Sequence, residues 1–177
     1  ITGTLKRHVQ TWQGIAKGMQ RDGSDALAWP GLNEYDPAAI IHAIHPEPLH
    51  KPTTPDQVKG HFRLLRDGLA AWMQGKTEPV GMPKYAEFLA GVTSALDHVR
   101  ANHFGKSVLI VSSGGPISTA VGHVLGTSPE TTIELNLRIR NSALSEFSFT
   151  PKGHRLLSYN HLPHLDAVER RGWESFS

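Results

Sequence analysis

Residues 107–112 read Ser-Val-Leu-Ile-Val-Ser, a continuous apolar run rich in β-branched side chains, and Ser113-Gly114-Gly115-Pro116 follows without a break. The run is too short for a helix of its own. Its lack of polar alternation suits a strand covered on both faces, the environment of a parallel sheet. After the glycine turn, Ile117 to Leu125 reads as a helix closed by Gly126. Strand, glycine turn and helix in that order form half of a βαβ unit, so the chain is predicted to be α/β, with 107–112 a central strand and helices on both faces of its sheet.

The rest of the chain supplies the helices. Residues 5–20 repeat Leu5, Val9, Trp12, Ile15 and Met19 at helical spacing, with Thr4 placed to cap them. Val58, Phe62, Leu65, Leu69 and Met73 mark a second helix behind Asp56 as cap, and Phe88, Val92, Leu96 and Val99 a third from Lys84 to His103, ended by Gly105. Residues 21–36 form a loop, and 36–55, dense in proline and histidine, an irregular insertion holding one short helix. From Ile133 to Phe149 the odd positions are apolar or small, which predicts strand interrupted near Asn141; Pro151-Lys152-Gly153 then turns into a returning strand, Arg155–Tyr159. The polar tail from Arg170 is expected to fray. No repeat or linker divides the chain, so residues 1–177 are predicted to form one domain.

Composition narrows the function. Lys and Arg total 18 against 16 Asp and Glu, and no basic cluster is present, which argues against nucleic acid as a partner. Without cysteine, disulfides, thiolate metal sites and cysteine nucleophiles are excluded. No apolar stretch is long enough to span a membrane and no signal pattern is visible, so a cytoplasmic protein is expected. The chain opens on Ile1, which leaves its true start in question.

The Ser112–Pro116 turn has three readings. A glycine turn entering a helix offers main-chain N–H groups and the positive helix end to a phosphate or another oxyanion. It also serves as a plain tight turn. As a serine nucleophile, Ser113 would take His161 or His164 as base and Asp166 as orienter. The nucleophile elbow, however, needs a glycine two residues before the serine, where Val111 stands. His42, His45 and His50 lack placed carboxylates other than Glu47, so they read as exposed insertion residues and no metal is expected. Arg7, one turn into the first helix, and Glu34, in a loop, are each unremarkable alone.

In order they are more informative. Thr2-Gly3-Thr4-Leu5-Lys6-Arg7 with Thr11, then Leu32-Asn33-Glu34, then Val-Leu-Ile-Val-Ser-Ser113-Gly114-Gly115, then Asn141-Ser142-Ala143, then Asn160 with His164-Leu165 resembles the histidine phosphatase superfamily, the phosphoglycerate-mutase-like group. The resemblance implies a three-layer α/β/α sandwich whose phosphate pocket lies at the C-terminal strand ends. It implies that Arg7 binds phosphoryl oxygens, that Glu34 is the general acid toward the leaving alcohol, and that Ser113 and the main chain of Gly114 complete the phosphate site. Residues 36–83 would cap the pocket and choose the substrate. The ligand expected is a small phosphorylated substrate or the phosphate anion, with no cofactor.

The chain departs from the family pattern twice. The Arg-His-Gly that carries the family's nucleophilic histidine is absent from the 177 residues. Ile1–Thr4 resembles the end of the family's second strand, so a strand and helix of at least about 30 residues are expected upstream. Ser113 also stands where the family has its second histidine. A neutral hydrogen bond in place of a charge-assisted one costs about 1.5–3 kcal/mol, roughly 10- to 150-fold in rate, whereas losing the nucleophile removes the covalent route. Phosphomonoester hydrolysis by the intact protein is therefore the expected activity, with a pseudoenzyme that binds a phosphorylated ligand or a protein partner as the rival.

Overall fold

Thr2 lies between two parallel neighbours, bridging to Ala28 on one side and to Val111 on the other. The computed structural model describes residues 1–170 and 172–176. Main-chain bonds from Thr2 N to Leu27 O (2.9 Å), Trp29 N to Thr2 O (2.8 Å), Gly3 N to Val111 O (3.1 Å) and Val111 N to Ile1 O (3.0 Å) align these three segments. Segment 107–112 is therefore extended and parallel as predicted, but it lies at the edge of this ribbon, bridged at Val111 and bonded by the Ile1 amino group at Leu109 O (2.9 Å). With a neighbour on one side only among the described residues, the run is incompletely covered: Val111 is 7% exposed and Leu109 39%.

The chain folds into two compact units, one built from Ile1–Glu34 with the residues from Gly91 onward, the other from Tyr35–Ala90. In the first unit, helix α1 (Lys6–Gly18) starts at Leu5, which makes no side-chain cap bond. Thr4 does not cap it, because its hydroxyl accepts from Asn33 Nδ2 at 2.6 Å and its N–H donates to Asn33 Oδ1 at 2.7 Å. The buried residues of α1 are His8 and Ala16, whereas Val9 and Met19 are exposed. The helix thus buries His8 and Ala16, with Trp12 and Ile15 of the predicted stripe half-buried beside them.

Helix α5 (Gly114–Leu125) ends as expected at Gly126, in the left-handed conformation (φ 66°) that favours glycine. The segment read as a strand from Ile133 is instead helix α6 (Pro129–Leu137), capped by Ser128 with Pro129 in its first turn. Its buried residues, Thr132, Ile133 and Asn136, follow helical spacing; the alternation of Ile133, Leu135 and Leu137 has the period of a strand, and the cap at Ser128 overrides it. Strands β1 (Leu144–Thr150) and β2 (Gly153–His161) pair antiparallel around Pro151-Lys152, with register shifts beside Glu146. Tyr159 on β2 donates its hydroxyl to Leu135 O at 2.7 Å, and burial pushes the phenol up to about 12. Residues 172–176 touch the rest of the fold, Asn141 bonding Ser175 and Phe176 and Arg140 pairing with Glu174 at 3.1 Å; Arg171 and Ser177 lie outside the described residues.

The second unit contains α2 (Pro37–His42), capped by Asp36, and α3 (Pro55–Met73), whose cap is Thr54 in a reciprocal box with Gln57 rather than Asp56. Gly68 lets α3 approach α2, since a β-carbon there would lie 2.8 Å from Ile40. Trp72 anchors the unit's core against Tyr85 and Phe88, its indole donating to Pro83 O at 3.1 Å. Helix α4 (Tyr85–Asn102) begins in this unit and continues into the first, where Val92, Leu96 and Val99 are buried as predicted. No described helix is long and apolar enough to cross a membrane.

Candidate functional site

Each of the three parallel segments runs at its C-terminal end into one candidate residue: 1–3 into Arg7, 27–29 into Glu34, and 109–111 into Ser113. In open parallel sheets, ligands bind beyond the carboxyl ends of the strands, where loops and helix N-termini converge. The 30–34 loop is pinned from two directions, by the reciprocal Asn33–Thr4 pair and by Ser112 Oγ, which donates to Leu32 O at 2.7 Å.

Ser113 occupies the N-cap position of α5 but makes no cap bond. A serine there ordinarily accepts from a first-turn N–H, worth about 1 kcal/mol. Its hydroxyl is turned instead toward α1, where Arg7 Nε donates to Ser113 Oγ at 3.0 Å and His8 Nε2 lies 2.5 Å from the same oxygen. The first-turn donor at Gly115 is taken by a carboxylate, Glu34 Oε2, at 3.0 Å. That contact is charge-assisted and lies at the positive helix end, so both terms hold Glu34 against the turn. Ser118 closes the turn from below, donating to Gly114 O (2.8 Å) and Gly115 O (3.0 Å).

Arg7 and Glu34 thus meet the same turn, at Ser113 and Gly115, with the buried Gly114 between them. The alternative partners of Ser113 do not: His164 Nε2 pairs with Ser142 Oγ at 2.9 Å, and neither His161 nor Asp166 bonds Ser113. Asn160 serves the fold, accepting from Arg140 N and donating to Arg138 O, both at 2.8 Å.

His8 is the residue that the sequence reading missed. It is 2% exposed, and its Nδ1 has no hydrogen-bond partner. Burial first, and the neighbouring Arg7 guanidinium second, lower its affinity for a proton below that of an ordinary histidine, so at pH 7 the ring is neutral. Counting apolar residues selected Val9 and passed over His8 beside it. The available signal was Gly3, where a β-carbon would lie 2.2 Å from His8 Nδ1.

A guanidinium, a hydroxyl, a helix N-terminus and a carboxylate gathered at one turn can hold a phosphoryl group and exchange a proton with its ester oxygen. Residues 1–162 match the family model of the histidine phosphatase superfamily (branch 1), and the chain belongs to that superfamily. Its α/β fold is accordingly of the phosphoglycerate-mutase-like type, and its chemistry of the phosphatase and mutase class. No curated protein and no solved structure matches the chain.

Proposed function

We propose that the protein is a phosphomonoester hydrolase working through a phosphohistidine, whose histidine lies in an Arg-His-Gly outside these 177 residues. Arg7, the Ser113 hydroxyl and the Gly114 N–H hold the phosphoryl oxygens. The histidine nitrogen attacks phosphorus, the P–O ester bond breaks, and Glu34 gives its proton to the departing alcohol. Water then attacks the phosphohistidine and returns a proton to the Glu34 carboxylate. A small phosphorylated compound is the substrate, and the protein acts in the cytoplasm. Hydrolysis is favoured over mutase chemistry because a mutase must retain and re-donate the phosphoryl group, and Ser113 gives this pocket no second histidine for the task.

The observation that carries the reading is the meeting of Arg7 Nε and Glu34 Oε2 at two positions of one turn, Ser113 and Gly115, on either side of Gly114. Ser113 itself favours one rival, a protein that binds a phosphorylated ligand without turning it over. An aryl-phosphate assay from pH 5 to 8 separates the two. The 177-residue chain is expected to be silent. A longer product bearing an upstream Arg-His-Gly is expected to turn over modestly and to lose about 10²- to 10⁴-fold with Glu34→Gln. Silence from the longer chain, with anion binding intact, would establish the binder.

A further inference from the structure

We propose that His8 is a positioning residue that makes the Ser113 hydroxyl an outward-facing donor to phosphoryl oxygen. The inference rests on the anion-site reading above and adds to it a residue and a proton assignment.

Serine oxygen has two lone pairs and one proton. Arg7 has no acceptor, so its Nε–H fills one lone pair of Ser113 Oγ. The role of His8 Nε2, 2.5 Å from the same oxygen, depends on which ring nitrogen carries the proton. If Nδ1 carries it, Nε2 accepts the serine proton, and Ser113 has none to offer a ligand. A proton on Nε2 instead fills the second lone pair, and the hydroxyl proton must point away from both donors.

The surroundings of Nδ1 decide between these states. That nitrogen is buried without a partner. An added β-carbon on Gly3 would fall 2.2 Å from it, so a Cα–H bond of Gly3 is aimed at the ring nitrogen. A bare lone pair tolerates a Cα hydrogen as a weak donor, whereas a proton on Nδ1 would oppose that hydrogen and remain an orphaned buried N–H. The proton therefore sits on Nε2. This also accounts for the missing N-cap bond of α5: with both lone pairs taken by side chains, Ser113 Oγ has none left for a first-turn N–H.

His8 is too buried to reach a ligand, so its effect must pass through Ser113. Long-range ¹H–¹⁵N spectra of the wild-type chain are expected to show the Nε2–H tautomer; the Nδ1–H tautomer would overturn the assignment, and this measurement needs no variant to fold. Sulfate titration supplies the second readout. Ser113→Ala is expected to weaken binding about tenfold and His8→Leu several-fold. His8→Gln, which restores an N–H at the Nε2 position, should recover most of the loss. The double variant should bind no more weakly than Ser113→Ala alone. A His8→Leu penalty that persists undiminished in the Ser113→Ala background would reduce His8 to a packing residue. No sulfate binding by the wild-type chain would overturn the anion-site reading itself, whereas normal binding with an Nδ1–H ring would overturn the His8 assignment only.

Discussion

Arg7 in α1 and Arg138 just past the end of α6 are both exposed arginines, yet they differ in what holds them. Arg138 pairs with Glu134 one turn away at 3.4 Å, a solvated contact of little energetic value. Arg7 is held at Ser113, 106 residues away in sequence. Arg7→Ala is therefore expected to weaken sulfate binding by about tenfold or more, and Arg138→Ala by less than about twofold, measured by calorimetric titration. Two histidines set the response to acid. Burial, then Arg7, lowers His8; burial, then chiefly Arg100, lowers His154. Each binds a proton more readily unfolded than folded, so each contributes stability that is complete above the unfolded value near 6.5 and is lost as pH falls through the folded value. Thermal midpoints should accordingly drop between pH 7.5 and 5, and His154→Gln should flatten that slope. A midpoint constant over this range would contradict the assignment.

At the scale of elements, close approach separates glycines that are required from glycines that are not. A β-carbon at Gly3 would strike the His8 ring, and one at Gly122 of α5 would lie 2.4 Å from Thr132 Oγ1 of α6, whereas Gly14 of α1 has nothing within 4 Å. Gly3→Ala and Gly122→Ala are expected to destabilise by about 1–3 kcal/mol, with sulfate binding lost for Gly3→Ala and kept for Gly122→Ala. Gly14→Ala should stabilise by about 0.5–1 kcal/mol. Chemical denaturation reads all three. The same physics explains what the sequence made legible. Helices α3, α4 and α5 were readable because apolar spacing, prolines and glycines agreed on them. Helix α6 runs against the alternation of Ile133, Leu135 and Leu137, which has the period of a strand, and the deciding signal is Ser128-Pro129 at its start. Arg7, Glu34 and Ser113 could be named from their order along the chain. Their mutual contacts could not, and His8 was hidden because a buried polar residue does not register in an apolar count.

At the scale of the molecule, the candidate site belongs to one of the two compact units. Every side chain of the candidate site lies in the unit formed by residues 1–34 and 91 onward, whereas Tyr35–Ala90 has its own aromatic core around Trp72. The bridge at Thr2 bears on a different matter, the time course of folding. The first residues of the chain lie between segments that end near 29 and 111, so Arg7 and Ser113 cannot meet until most of the polypeptide has been gathered in. Loop closure of that length is slow, and little of it is repaid until the last segment docks. The anion site is accordingly expected to form late in folding, so that sulfate should slow unfolding and leave the folding rate unchanged in stopped-flow kinetics.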